Sequence, residues 1–454
     1  MNRLAGRAAY AVATLALGEH AVFRHLPAAR EARMLPLQQL RERQRRALGE
    51  LFDRARADSP YYTSLLGAWH GDADPLEVLR SLPTLEKRML QDSVAPIRST
   101  RYGGRLIAKS TGGSTGAPVR IVKDSGGIAR EMAATWAALE TYGIRMGDRS
   151  VRFWGTPLTR WRRLRFMLAD LAMNRIRLSA FDLDDEDMAA YWRRCRSFRP
   201  VWMYGYASVI YLFARWIEEQ GEDGGRLGLQ AVVPTSEPLL TEQRAIISRV
   251  FQAPVFDEYG CGEVGAIAYA CTSGRLHVVT DNVAIEVVDS ELNEVPPGEA
   301  GEVLVTDLTN HAMPLIRYRL GDRAVPAAGC DCGNQAPALE RILGRIHDVV
   351  YTPAGRRWHG EKMDYLMSQL FGETASFRQY QIIQRSQTDL LVRLVADDDI
   401  PDAVKARIIE YVAQRLDGMR AEVVRVDRIE RERSGKIRLV RNEFLPHAAQ
   451  PHAD

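Results

Sequence analysis

Cysteine is scarce in this chain: 454 residues hold five, Cys195, Cys261, Cys271, Cys330 and Cys332. So small and odd a number excludes the dense disulfide framework of a secreted scaffold and fits a reducing cytoplasm. Long apolar runs are missing as well. The best candidate, Ala8 to Leu17 behind Arg3 and Arg7, is ten residues, too short for a helix to cross roughly 30 Å of hydrocarbon. No small-residue cleavage site follows it, which weakens a signal-peptide reading. Two readings stay open: a helix packed on the body of the protein, and a peripheral anchor whose arginines meet anionic lipid. An excess of one charge is absent too, since 61 basic residues face 58 acidic ones for a net +3. Spread over a large surface, that leaves no nucleic-acid footprint. No internal repeat or low-complexity segment is found.

What is present is ordinary globular material, 46% apolar and 26% charged, enough to bury a large core. At about 150 residues per domain the length allows roughly three domains, or one large and one small. Residues 28 to 57 are Arg-rich, with Leu35, Leu37, Leu40, Leu48, Leu51 and Phe52 near helical spacing, which predicts solvent-facing helices in an extension over residues 1–60. From about 105 to 310, short β-rich runs (Ser150–Phe153, Pro200–Met203, Ala231–Val233, Pro254–Asp257) alternate with helical stretches. The clearest helix carries Val209, Leu212, Phe213, Trp216 and Ile217 on one face. Such alternation predicts an α/β sheet with helices on its faces. Ala284–Val288 and Glu302–Asp307 flank a turn at Pro296-Pro297-Gly298 and predict an antiparallel β portion. After Gly344 the texture changes: strands at Tyr380–Ile383, Leu390–Val395 and Val423–Val426, with a helix through Val404, Ile408, Ile409, Val412 and Leu416, predict a small α+β domain over residues 344–454.

The most informative stretch is Ser110-Thr111-Gly112-Gly113-Ser114-Thr115-Gly116-Ala117-Pro118, three glycines and four hydroxyl residues in nine positions. Backbone N–H groups of such a loop approach and cradle phosphate oxygens. It is not the Walker pattern, because no Gly-Lys-Ser/Thr ends it; taken alone it also reads as a flexible turn. Its company is Thr235-Ser236-Glu237-Pro238-Leu239, Asp257-Glu258-Tyr259-Gly260-Cys261-Gly262-Glu263, Ala312-Met313-Pro314-Leu315-Ile316-Arg317-Tyr318-Arg319-Leu320-Gly321-Asp322, Gly344-Arg345-Ile346-His347-Asp348 and Ser434-Gly435-Lys436-Ile437-Arg438.

In this order and at these separations the motifs resemble those of the AMP-forming adenylating superfamily of acyl-CoA synthetases, and within it the phenylacetate-CoA ligase-like group with its capsule-biosynthesis branch. The resemblance implies a large N-terminal adenylate-forming α/β domain (1–343) and a small, mobile α+β lid (344–454). It implies ATP-dependent activation of a carboxylic acid to an acyl-adenylate, then transfer to a thiol, with CoA as co-substrate. Residues 110 to 116 would hold the ATP phosphates, with Ser236 and Glu237 bordering the nucleotide; Tyr259, next to Gly260, would lie against the adenine. Glu263 would place Mg²⁺, a hard cation that prefers carboxylate and phosphate oxygens. Asp322 would accept from the ribose hydroxyls with Arg345 nearby, and Lys436 would bridge acyl carboxylate and α-phosphate. A carboxylate attacking a phosphate brings anions together, so a preorganised cation and metal lower the barrier. The hinge position, usually acidic in the family, is His347 here; a hinge is a backbone task that several residue types perform, but thioester formation becomes less certain than adenylation.

Cys271, His277, Cys330 and Cys332 form a second constellation. Thiolates and imidazole suit a closed structural Zn²⁺ site, though the spacing is loose; the resembled group carries such residues at these places. Cys261 reads as a lining residue. Trp154, Tyr204, Tyr206 and Ser208 fall where relatives border the acyl pocket, and aromatic residues there read equally as core. Trp161, Arg162, Arg163 and Arg165 read as a solvated helix face or as a contact for CoA phosphates or a carrier protein. One rival reading keeps the adenylation but transfers to an amine, hydroxyl or carrier protein; another is a catalytically silent nucleotide-binding scaffold.

Overall fold

The computed structural model describes residues 8, 10–12, 14, 21–110, 119–155, 167–181, 183–345, 349–359, 379–396, 398–430 and 437–444. Two compact units emerge, residues 1–320 with 324–342, and residues 343–454 with 321–323. Helices are α1 (Val22–Ala32), α2 (Leu37–Asp58), α3 (Pro60–Leu65), α4 (Pro75–Ser81), α5 (Lys87–Asp92), α6 (Ser125–Thr141), α7 (Asp185–Phe198), α8 (Ala207–Glu219), α9 (Thr241–Phe251) and α10 (Asp402–Arg415).

In the first unit, β1 (Leu106–Ser110) and β2 (Arg120–Asp124) pair as an antiparallel hairpin, so the glycine-rich stretch is its connecting loop. An eleven-stranded sheet, all of it in this unit save residues 321–323 and 343–345, holds β3 (Ser150–Trp154), β4 (Arg175–Ser179), β5 (Trp202–Tyr206), β6 (Ala231–Thr235), β7 (Glu258–Cys261), β8 (Gly265–Ala270), β9 (Leu276–Val278), β10 (Val283–Val288), β11 (Gly301–Asp307), β12 (Tyr318–Pro326) and β13 (Ala338–Arg345), in the order β10-β11-β12-β13-β9-β8-β7-β6-β5-β3-β4. β4, β3, β5, β6 and β7 run parallel; β7, β8 and β9 then run antiparallel. Parallel neighbours need long crossovers, and α7, α8 and α9 supply them. α7 starts where the Asp184 side chain accepts from the Asp187 amide at 2.9 Å, and acids at 185–187 suit the positive end of its dipole. α8 buries Val209, Phe213 and Ile217 of the predicted face completely, with Ile210 beside them, against Phe153, Met203 and Val232 of the sheet, while Leu212 and Trp216 of that face are half-buried.

Two expectations shift. Residues 254–257 are not a strand: Val255 makes one isolated bridge to Val232, and ladder pairing begins at Glu258 opposite Thr235. α2 is not simply solvent-facing, since Leu48, Leu51 and Phe52 are fully buried while its arginines line the outer side. In the leading segment, Tyr10 is buried edge-on against Trp136 of α6 at 5.4 Å, and the Trp136 indole donates to its hydroxyl at 2.9 Å. Among the described residues no helix is long and apolar enough to cross a membrane. The phrase Leu315–Arg319 is a structural anchor: buried Arg317 pairs with Glu286 at 2.8 Å and donates to the carbonyls of Arg80 and Leu82.

In the second unit a four-stranded sheet runs β18 (Arg420–Val426), β17 (Asp389–Val395), β16 (Gln379–Gln384), β19 (Val440–Asn442), beside a short hairpin of β14 (Val349–Tyr351) and β15 (Arg357–His359). α10 closes a separate core of Ile382, Val392, Leu394, Ile408, Val412 and Leu416.

Candidate active site

Open α/β sheets bind ligands at the carboxyl ends of their parallel strands. β3, β5 and β6 end there at Trp154, Tyr206 and Thr235, and β7 begins alongside at Glu258. Strand pairing sets Arg152 opposite Tyr204, Tyr204 opposite Val233, and Tyr206 opposite Thr235. Alternation then puts Arg152, Trp154, Tyr204, Tyr206 and Thr235 on one face, while Val151, Phe153 and Met203 turn into the apolar layer under α7 and α8.

Three of the four residues read as an acyl pocket therefore meet. Trp154 stacks on Tyr206 at 4.6 Å and lies 5.9 Å from Tyr204. The fourth, Ser208, opens α8, where its backbone N–H donates to Glu237 Oε2 at 2.8 Å. Ser236 precedes it in a left-handed conformation, φ 70°, which turns the chain sharply after β6. Tyr259 is buried in β7. At Gly260 a side chain has no room: a Cβ would sit 2.6 Å from the Gly265 carbonyl oxygen. The ladder slips between Tyr259 and Gly260, and the turn that follows presents Glu263, whose carboxylate accepts from the Tyr318 hydroxyl at 3.5 Å. Asp322 lies in β12 after Gly321, φ +74°. Ser110 ends β1 and Arg345 ends β13. Thr111, Gly112, Gly113, Ser114, Thr115, Gly116, the run Trp161–Arg165, His347 and Lys436 lie outside the described residues.

Three charged groups escaped the sequence reading. Glu258 takes hydrogen bonds from the Tyr204 hydroxyl at 3.1 Å and the Thr235 hydroxyl at 3.4 Å, and burial pushes its carboxyl up to about 7. Arg152 places its guanidinium 4.3 Å over Trp154 and 5.0 Å from the Tyr204 ring centre. Lys123, fully buried in β2, reaches Glu131 at 2.9 Å, Asp307 at 3.5 Å and the carbonyl of Val264, next to Glu263. Burial works against its charge, but Asp307 and Glu131 outweigh it and hold the ammonium well above the usual lysine value. The available signal was a charged residue alternating into an otherwise apolar strand, at Arg152 and Lys123, and paired acids at Asp257-Glu258.

Elsewhere in this unit, Cys271, His277, Cys330 and Cys332 converge, one ligand atom of each lying within 4.8 Å of the others. Cys271 follows β8, His277 lies in β9, and Cys330 and Cys332 lie between β12 and β13. Cys332 Sγ is 3.2 Å from His277 Nε2, and His277 Nδ1 donates to the Ala336 carbonyl at 2.9 Å, which leaves Nε2 as the ligand nitrogen. Three thiols and an imidazole are a donor set suited to zinc. Cys261 stays apart; its sulfur accepts from the Val264 amide at 3.3 Å. A cleft lined by His25, Arg33, Arg130 and Asp281 adjoins this cluster rather than the strand ends.

Residues 110–310 match the sequence profile of the AMP-binding enzymes, and residues 351–443 that of the CapK C-terminal domain. The chain thus carries an AMP-binding enzyme domain followed by a CapK C-terminal domain. Protein CapK of Staphylococcus aureus is 24% identical over 322 residues, 68% of each chain. Phenylacetate-coenzyme A ligase of Thermus thermophilus is 26% identical over 336 residues, 70% of this chain and 73% of that one. In three dimensions this chain shares its fold with crystalline 2-hydroxyisobutyryl-CoA ligase in the postadenylation state with 2-HIB-AMP, at TM-score 0.73 and 18% identity over 91% of both chains.

Proposed function

We propose that this enzyme is an AMP-forming acid–CoA ligase. It joins a carboxylic acid to the α-phosphate of ATP, releases pyrophosphate, and passes the acyl group to the thiol of CoA. The observation that carries this reading is the gathering of the ends of β3, β5, β6 and β7 inside the region that matches the AMP-binding enzymes. In this reading the loop between β1 and β2 (Ser110 to Gly116) holds the ATP phosphates, Ser236 and Glu237 border the nucleotide, Tyr259 lies along the adenine, and Asp322 accepts from the ribose, with Arg345 near it. Mg²⁺ would neutralise phosphate charge when bound, and Glu263, steadied by Tyr318, is its carboxylate. Trp154, Tyr204, Tyr206 and Ser208 border the acyl group. Lys436 neutralises the anions that converge as the acid attacks. Residues 344–454 act as the lid to the domain of residues 1–343, swinging about His347. Cys271, His277, Cys330 and Cys332 would hold a structural Zn²⁺, tying β8 and β9 to the segment before β13. We place the protein in the cytoplasm, on its cysteine usage, with peripheral lipid contact by the leading segment, where Val12 is exposed; co-sedimentation with anionic vesicles tests that contact.

The test is carboxylate-dependent exchange of labelled pyrophosphate into ATP. Lys436→Ala is expected to lower the exchange rate by at least about a hundredfold, and no exchange with any of a broad panel of acids would overturn the reading. The CapK C-terminal match over 351–443 and the histidine at the hinge favour a second reading, in which the acyl group passes to an amine, hydroxyl or carrier protein. Competition between CoA and such acceptors for the preformed adenylate separates the two.

A further inference from the structure

Arg152, half-buried, sits in the middle of β3 with its guanidinium 4.3 Å over the Trp154 ring and 5.0 Å from the Tyr204 ring centre. Its Nε is closed off from solvent and makes no hydrogen bond, and among the described residues its side chain has no ion pair. Burial draws its pKa down to about 10, with Arg175 and Arg177 adding to the effect. The neighbouring carboxyls are committed elsewhere. Asp170 is held by Arg175 at 2.5 Å and by Arg177 at 3.0 Å, and Glu258 takes its hydrogen bonds from Tyr204 and Thr235. A buried guanidinium normally has a carboxylate or carbonyl to receive its fork of donors. Aromatic faces offer it cation–π attraction but cannot accept along its in-plane N–H edge. The group lies one strand position below Trp154, on the face and at the sheet end where the acyl group of the substrate is expected.

We propose that Arg152 determines substrate specificity: the acid carries a second carboxylate, remote from the reacting one, which the Arg152 guanidinium grips in the aromatic pocket of Trp154, Tyr204 and Tyr206. The planar fork matches a carboxylate in two hydrogen bonds, a match an ammonium does not make. Glu258 borders the site, and its raised pKa reduces its repulsion of the incoming anion. The proposal rests on the adenylation reading above, but its failure looks different.

Pyrophosphate exchange is measured on the full chain with paired series, linear monocarboxylic acids against dicarboxylic acids of equal length, and phenylacetate against carboxyphenylacetate. The expected result is a preference of at least about tenfold in kcat/KM for the diacid of the best pair, since a site with a buried unpaired donor rejects the analogue that leaves it unpaired. Arg152→Met should lower kcat/KM for that diacid about a hundredfold, mainly through KM, while the matched monoacid stays within about threefold. Arg152→Lys should fall between. A merely structural arginine would lower both series together, and that result, or a wild-type preference for monoacids, overturns the proposal while adenylation stands. Exchange with neither series removes the activity itself. The wild-type preference decides the matter even if Arg152→Met fails to fold.

Discussion

A buried lysine and a half-buried glutamate show how single residues shape this site. Lys123 holds Glu131, Asp307 and the Val264 carbonyl together beneath the turn that carries Glu263. Replacing it by methionine leaves Asp307, 1% exposed, without its cation, and a broken buried pair costs about 3 to 5 kcal/mol. Urea unfolding of Lys123→Met should show that loss, and Lys123→Met with Asp307→Asn should recover part of it. Glu258 acts in the opposite sense. Burial raises its carboxyl from 4.5 to about 7, so across that window the folded state binds the proton more tightly than the unfolded chain. Stability is therefore highest below about 4.5 on this group's account and falls as pH rises toward 7. Glu258→Gln should flatten that fall and gain on the order of 2 to 3 kcal/mol at pH 8, read from urea midpoints over a pH series. Asp257, raised to about 6 by burial, keeps a smaller slope of the same sign. Neither Lys123 nor Glu258 was given a role from the sequence, because a charge in a short strand ordinarily marks the solvent side, and only register shows which neighbours these meet.

The decisive elements are the ends of β3, β5 and β6 and the hairpin of β7 and β8. The β7–β8 hairpin depends on Gly260, where the strands approach so closely that a Cβ would meet the Gly265 carbonyl oxygen at 2.6 Å. Gly260→Ala should cost about 2 kcal/mol by overpacking. If Glu263 is the Mg²⁺ carboxylate, the same variant should raise the Mg²⁺ concentration needed for half-maximal exchange, because the turn must shift; an unchanged Mg²⁺ dependence would detach Glu263 from that role. The helix α8 was legible from its apolar stripe alone, since no side chain caps it. The strand expected at 254–257 was not. Pro254–Asp257 has the apolar content of a strand, but sheet pairing with β6 starts only at Glu258, a choice made by the neighbour and not by the segment.

For the whole molecule, the zinc assignment makes the sharpest forecast. Purified protein should carry close to one equivalent, and Cys332→Ser should bring it below about half. Stripping the metal with a chelator should lower the thermal midpoint, because the site joins segments about sixty residues apart in sequence, Cys271 and Cys330; no change in midpoint would leave these cysteines as ordinary free thiols. The sequence by itself determined the order of the motifs, whose resemblance pointed to adenylate-forming enzymes, and the α/β body and α+β character of the tail, because apolar period and the placement of glycines, hydroxyls and acids are local properties that survive without a fold. Only the tertiary structure decided which charges share an interior. Arg152 meets Trp154 and Tyr204, Glu258 meets Tyr204, and Lys123 meets Asp307, through strand register and chain crossing. Such contacts arise between residues distant in sequence, and their energies depend on removal from water, which no local pattern records.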